Sequence, residues 1–354
     1  MLINNTYINY YLTINLLKKN KMSSLFKIAT INNISNIGLK RFPKNLYEIQ
    51  SLDKYNSSDN PMAILLRSHK LKDNEVSKSI SAIARCGAGT NNIPVDKMTS
   101  RGIPVFNTPG ANANSVKELV LCSLFLSARD IIGGIHHIQD LTDSEGFSVA
   151  GSRVEKDKKL FSGNEVKGKT LGIIGLGAIG SQVAMAGSSL GMKVLGYDPE
   201  LTVESALHLD GDKIQRVNDI ESCIENADYI SLHIPVIKGI TENIINKDII
   251  NIMKPGANLL NFSRSELVNH YDLLSAIDNR KFTGKYCTDF PNEIIQGNKH
   301  CISIPHLGAS TDEAEENSAS MAADTIIDFL ENGSIKNSVN FPKTLLKKRK
   351  EDTT

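Results

Sequence analysis

An α/β fold of two doubly wound, parallel-sheet domains is predicted by three observations. Short apolar runs that read as buried strands alternate with helical segments along most of the chain. Residues 169–199 hold a complete strand–helix–strand unit in one stretch. The length of 354 residues suits two domains better than one.

The compact unit explains the rest. Lys169-Thr170-Leu171-Gly172-Ile173-Ile174 is an apolar strand, and Gly175-Leu176-Gly177-Ala178-Ile179-Gly180 follows at its exit. Residues 181–190 carry Val183, Ala184, Ala186 and Leu190, enough for a helix on a sheet, and Val194-Leu195-Gly196-Tyr197-Asp198 is a second strand ending in an acid. Gly175 permits the tight turn, Gly177 lets backbone N–H groups approach a pyrophosphate, and Gly180 lets helix and strand pack closely. The helix then directs its positive end at the phosphates, with Ala178 and Ile179 supplying amides. Asp198 stands 18 residues after Gly180, where an acid accepts the ribose hydroxyls of NAD and repels a 2′-phosphate. No arginine directly follows it, so the cofactor expected is NAD rather than NADP.

Composition bounds the class. A hydrophobic share of 40%, a charged share of 22% and a net charge of +1 are those of a soluble globular protein and give no reason to expect nucleic acid. No apolar run reaches the length of a membrane span. Cys86, Cys122, Cys223, Cys287 and Cys301 are scattered and odd in number, which suits a reducing, cytoplasmic setting. Histidines and cysteines do not cluster at ligand spacing, so no metal is expected.

Taken in order, residues 1–21 are rich in Asn, Ile and Tyr and read as a disordered extension, with a targeting segment as the alternative. Met22 precedes the first strand, Leu25-Phe26-Lys27-Ile28-Ala29. Ala63-Ile64-Leu65-Leu66 is a strand leading into Arg67 and Ser68. Ile83-Ala84-Arg85-Cys86 leads into a glycine loop with Ala88 and Gly89, and Ile103-Pro104-Val105-Phe106-Asn107 is a third strand. A polar loop ends at Ser115, which with Glu118 reads as a capping box. The helix from 116 to about 138 is apolar nearly all round, so it is buried or packs on a second subunit, and a homodimer or homotetramer is expected. Residues 139–165 are polar and read as a solvated loop. Later strands end at His233 and Pro235, at Phe262-Ser263-Arg264, at Asp289 and at His306, which puts those groups on one edge of one sheet. Residues 313–331 form a helix that returns to the first domain, and 343–354 are a charged tail. The boundaries expected are 22–115 with 309–342 for the substrate domain and 116–308 for the dinucleotide domain, with a cleft between them that closes on the substrate.

Four motifs carry a resemblance. Arg85-Cys86-Gly87-Ala88-Gly89-Thr90-Asn91-Asn92-Ile93, the glycine turn at 175–180, Asn261-Phe262-Ser263-Arg264, and Pro305-His306-Leu307-Gly308-Ala309-Ser310-Thr311 occur in an order that resembles the D-isomer-specific 2-hydroxyacid dehydrogenases over residues 24–342. The resemblance implies a Rossmann-like NAD domain inserted into a flavodoxin-like substrate domain. Arg67-Ser68 and the loop 107–119 resemble the branch that oxidises 3-phospho-D-glycerate to 3-phosphohydroxypyruvate at the start of serine synthesis. The roles implied are His306 as acid/base, Arg264 on the substrate carboxylate, and Arg67 and Ser68 on the phosphate, with Ala88, Gly89 and Asn112 lining the substrate. His233, Pro235, Phe262, Ser263, Arg264, Asp289, His306, Gly308 and Ala309 fall on the cofactor side. An imidazole suits proton transfer near neutral pH, and a guanidinium suits a carboxylate.

One segment departs from the family. Thr288-Asp289-Phe290-Pro291-Asn292-Glu293 stands where the family reads Asp-Val-Phe-Pro-x-Glu. Anchored on Phe-Pro, Glu293 takes the catalytic acid position and Thr288 that of the cofactor-side Asp. Anchored on the acid, Asp289 fits and Glu293 falls one short. The Phe-Pro anchor is preferred. Twelve residues follow Pro342, too few for the family's regulatory ACT domain, so no serine inhibition by that route is expected. Two rivals stand beside this reading, a glyoxylate or hydroxypyruvate reductase and an NAD-sensing corepressor.

Overall fold

The computed structural model describes residues 25–55, 59–201, 209, 211 and 213–341. The expectations for 1–21 and 343–354 lie outside them. The chain forms two compact units, Met1–Asn112 with Ala309–Thr354, and Ala113–Gly308. The first unit starts with β1 (Phe26–Ile31), α1 (Asn36–Leu39), β2 (Tyr47–Ser51), β3 (Ala63–Leu66), β4 (Ala82–Arg85), α2 (Val95–Ser100) and β5 (Val105–Phe106). The second holds α3 (Ala113–Ala128), α4 (Ile131–Glu145), α5 (Phe147–Asp157), β6 (Thr170–Ile174), α6 (Gly180–Ser189), β7 (Lys193–Tyr197), β8 (Ile214–Arg216), α7 (Ile220–Glu225), β9 (Tyr229–Leu232), α8 (Lys247–Ile252), β10 (Asn258–Asn261), α9 (His270–Asp278), β11 (Tyr286–Thr288) and β12 (Cys301–Ser303). The long helix α10 (Asp312–Asn332) completes the first unit.

The first sheet runs β2-β1-β3-β4-β5 with every pair parallel, the flavodoxin-like order. Its central strands are apolar on both faces because both are covered. On one face α10 packs Ala319, Ala322, Ile326 and Leu330 with Ile28, Leu65 and Ala84. On the other, Met98 of α2 packs with Ile64, Leu66 and Ile83. After α10, Val339 N–H donates to Val105 O at 2.8 Å and Ser338 bridges to Phe106, which ties the late segment to the edge strand.

The second sheet runs β12-β11-β10-β9-β6-β7-β8, also parallel throughout. The strand order reverses between β6 and β9, and ligands of such sheets bind at the carboxyl ends beside that reversal. β9, β10, β11 and β12 lie side by side, so their four ends share one edge.

Three expectations are corrected. The helix expected over 116–138 is two helices, α3 and α4, bent by 65°. The cause is Asp130, whose carboxylate accepts the Gly133 N–H at 3.3 Å and starts a new helix. Ser115 accordingly lies buried inside α3 rather than capping it, and Glu118 accepts from Asn114 Nδ2 at 2.8 Å. The polar stretch 139–165, expected as loop, is largely helical. Its polar side chains pair with one another. His137 Nε2 lies 2.9 Å from Asp157 Oδ2, and Arg153 reaches Glu145 at 3.0 Å and Asp157 at 3.1 Å, so α4 and α5 are cross-linked. Among the described residues no single helix is long and apolar enough to cross a membrane.

Candidate active site

The turn after β6 is shaped by close approach. Gly175 has φ of 94°, and a Cβ there would stand 2.5 Å from His233 O. A Cβ on Gly180 would stand 1.8 Å from Gly175 O. At Gly177 a Cβ would meet no protein atom within 4 Å, so that glycine keeps its backbone bare for a reason outside the packing. Asp198 Oδ2 accepts the Leu176 N–H at 2.8 Å and Oδ1 accepts the Glu200 N–H at 2.9 Å. The acid is thus aimed by backbone, and each oxygen retains a lone pair for a ribose hydroxyl. No side chain caps the first turn of α6, which leaves the amides around Ala178, Ile179 and Gly180 for a pyrophosphate. These residues fit a dinucleotide.

The neighbouring strand ends are held by buried polar side chains. His233 Nε2 lies 2.8 Å from Ser231 Oγ, its Nδ1 has no partner among the described residues, and burial brings its pKa down to about 3, so the ring is neutral. Pro235 follows two residues later. At the end of β10, Asn261 is fully buried. Its Nδ2 donates to Arg264 O at 2.8 Å and its Oδ1 accepts the Ser263 N–H at 3.2 Å, while Ser263 Oγ donates to Leu232 O at 2.7 Å. Phe262 is buried beneath this turn, so the backbone of Arg264 is fixed while its guanidinium is exposed.

After β11, Asp289 is 1% exposed. Its Oδ2 accepts the Gly308 N–H at 3.2 Å, and its Oδ1 has no partner among the described residues. Burial raises its pKa, and the positive fields of His306 and Arg264 pull the other way. The His306 ring meets Phe290 edge-on, centroids 4.8 Å apart. Glu293 is exposed and makes no hydrogen bond or ion pair among the described residues. Ala309 is the first residue back in the other unit.

In the first unit Arg67 and Ser68 follow β3. Asn32, at φ of 70°, accepts three backbone N–H groups on one oxygen, from Arg67 at 3.4 Å, Ser68 at 3.1 Å and His69 at 2.9 Å. Asn92 Nδ2 donates to Arg67 O at 3.0 Å and His69 O at 2.8 Å. The guanidinium of Arg67 pairs with Glu315 in the first turn of α10. Nearby, Asn107 Nδ2 donates to Ala88 O at 2.6 Å and Thr108 N–H to Gly87 O at 3.1 Å, which joins the loop carrying Ala88 and Gly89 to the loop that ends at Asn112. Thr108 Oγ1 and Asn112 Oδ1 are buried without partners among the described residues. The sequence reading gave no role to Asn32, Asn92 or Asn261. Asn92 and Asn261 stand inside quoted motifs, and an Asn directly after a strand was the available signal at 32.

Residues 134–309 match the family described as D-isomer specific 2-hydroxyacid dehydrogenase, NAD binding domain. Over 340 residues the chain is 30% identical to the D-3-phosphoglycerate dehydrogenase of Dictyostelium discoideum, covering 90% of this chain and 79% of that protein. Over 273 residues it is 33% identical to that of Methanocaldococcus jannaschii, covering 76% of this chain and 49% of that one, so it spans about half of the archaeal protein. The crystal structure of NAD+-bound 3-phosphoglycerate dehydrogenase from Entamoeba histolytica is similar with a TM-score of 0.68 at 26% identity, covering 90% of this chain and 99% of that one.

Proposed function

The chain belongs to the D-isomer-specific 2-hydroxyacid dehydrogenase family, and from that premise we propose that it oxidises 3-phospho-D-glycerate to 3-phosphohydroxypyruvate, the step that opens serine synthesis. NAD, when bound, would supply the acceptor for the hydride that leaves C2 of the hydroxy acid. The turn at 175–180 with Asp198 holds the dinucleotide. His306 takes the hydroxyl proton as general base. Arg264 binds the substrate carboxylate and polarises the carbonyl that forms at C2. Arg67, with the amide of Ser68, receives the phosphate, and Ala88, Gly89 and Asn112 line the rest of the substrate.

One observation carries the phosphorylated substrate. Arg67 is fixed at a strand end by two asparagines, yet its guanidinium is half-exposed and already faces an anion, the Glu315 carboxylate. A phosphate, with more charge and more acceptor oxygens, is a better partner for that fork than a single half-exposed carboxylate. The likeness to named D-3-phosphoglycerate dehydrogenases supports the same choice. The test is NADH formation with 3-phospho-D-glycerate, with D-glycerate and D-lactate as controls. A rate with the phosphorylated acid alone is expected. A rate with glyoxylate or hydroxypyruvate in reverse, and none with the phosphorylated acid, would move the protein to the reductase reading.

A further inference from the structure

We propose that the buried hydroxyl of Tyr286 is a positioning hub that couples the turn carrying Arg264 to the turn beside His306, with His270 as the acceptor of its proton. The proposal rests on the dehydrogenase reading above and adds two positioning residues to it, both acting through other groups.

Tyr286 and Thr288 are two apart on β11, so they share one face of the sheet, and Asn261 of β10 pairs with Thr288 in register. Tyr286 is fully buried, and polar side chains converge on its hydroxyl. Asn261 Nδ2 lies 3.3 Å away, His270 Nε2 lies 3.5 Å away, and the Thr288 hydroxyl also bonds to it. Donors and acceptors balance. Burial pushes the Tyr286 phenol up to about 12, so it keeps its proton, and burial lowers His270, so its ring is neutral with one acceptor nitrogen. The phenol therefore donates to His270 Nε2 and accepts from Asn261 and Thr288, which fills both of its lone pairs. The second proton of Asn261 Nδ2 goes to Arg264 O at 2.8 Å, and Asn261 Oδ1 takes the Ser263 N–H at 3.2 Å. Thr288 Oγ1 in turn accepts the Phe290 N–H at 3.1 Å, and the Phe290 ring meets the His306 imidazole at 4.8 Å.

One oxygen thus ties the backbone that aims Arg264 to the backbone that sets a ring against His306. Phenylalanine would fill the same space without the cost of burying a polar group, so the hydroxyl is kept for its bonds. The two ends must hold station together. The carboxylate grip and the proton transfer act on neighbouring atoms of one substrate, and small misplacements there are costly to the rate. The dinucleotide turn stands apart, because β9 lies between β10 and β6 in the sheet. Loss of the hydroxyl should therefore separate substrate handling from cofactor binding.

The test compares Tyr286→Phe, which deletes the hydroxyl alone, with Tyr229→Phe, a buried tyrosine of β9 outside these contacts. NADH is titrated by fluorescence. Oxalate, a mimic of a 2-keto acid, is titrated onto the enzyme–NADH complex. The ratio kcat/KM is measured with whichever 2-hydroxy acid the wild type accepts. Oxalate binding needs no turnover, so a failed assay with the phosphorylated acid sinks that reading and still leaves the ratio between proteins to decide this one. For Tyr286→Phe we expect oxalate affinity and kcat/KM each to fall by about 10-fold, with NADH affinity within about threefold. Tyr229→Phe should keep all of these within about threefold. His270→Leu removes only the acceptor and should lower kcat/KM and oxalate affinity by about fivefold, and His270→Gln, which returns an acceptor oxygen, should recover both. That pair decides the matter if Tyr286→Phe does not fold. A Tyr286→Phe enzyme with wild-type oxalate affinity and kcat/KM overturns the proposal. So does a loss of NADH affinity in proportion to the other two, or a His270→Gln protein no better than His270→Leu.

Discussion

The turn after β6 and the turn after β3 both present groups to an anion, and they are built in opposite ways. The first uses backbone. Its shape comes from residues with no side chain, where an added Cβ at Gly175 or Gly180 would stand 2.5 Å or less from a neighbouring carbonyl oxygen, and a single acid supplies the hydrogen-bonding side chain. The second uses side chains. Arg67-Ser68-His69 has no glycine, and its conformation is imposed from outside by Asn32 and Asn92. A backbone solution is compact in sequence and so is written as a motif. A side-chain solution borrows residues 25 and 35 positions away, and leaves no local signature.

The comparison is broken most severely at the glycines. Gly180→Ala forces a methyl onto Gly175 O, so we expect a loss of about 1–3 kcal/mol in urea unfolding, from overpacking, and NADH binding too weak to measure by fluorescence titration. Gly177→Ala is the control, because its methyl meets no protein atom. It should unfold within about 0.5 kcal/mol of the wild type yet still lose NADH affinity. A Gly177→Ala enzyme with intact affinity would show that this amide does not face the pyrophosphate.

The arginine turn should yield next. Arg67→Ala should raise KM for 3-phospho-D-glycerate by about 10- to 100-fold, the loss of a charge-assisted contact, and leave KM for NAD unchanged in initial-rate assays. Asn32→Ala frees three amides from their acceptor and should raise the same KM by about 10-fold. Asn32→Asp should restore it, because Asp tolerates the positive φ and keeps an acceptor oxygen. A failed rescue would mean that the amide NH2 of Asn32 matters too. The smallest effect belongs to Glu315→Gln. The Arg67–Glu315 pair is more than a third exposed and so contributes little, about 0–1 kcal/mol. Its removal should lower KM for the phosphorylated acid by up to about fivefold.

The same contrast explains what the sequence disclosed. The strand–glycine–helix unit at 169–199 was legible because its parts are adjacent and each has one physical job. The strand ends at Arg264, Asp289 and His306 were legible because a buried parallel strand is a plain apolar run. The bend at Asp130 was not, since a single acid between two apolar stretches reads as a helix interior until its side chain is seen capping Gly133. The α4–α5 pair was missed for a related reason. His137, Arg153 and Asp157 look like solvated residues in composition, and only their mutual pairing makes the segment a folded one. The choice between Asp289 and Glu293 turned on a spacing one residue off register, which no local pattern resolves. In the fold Asp289 is buried and Glu293 is exposed.

The split of the first unit across the chain has a consequence for how the protein is made. Its core joins Ile28, Leu65 and Ala84 to Ala319, Ala322, Ile326 and Leu330, so β1, β3 and β4 wait for a helix that begins well over two hundred residues later. The intervening unit has all seven of its strands and can close first. At ribosomal speeds of about 5–20 residues per second, the early strands spend tens of seconds with one apolar face uncovered. All their pairings are parallel and so need crossovers, which slows them further. The nascent first sheet is therefore the part of this protein most in need of a chaperone, and a circular permutant that begins at Ala309 and makes α10 directly before β1 should give a higher soluble yield on synthesis without added chaperones.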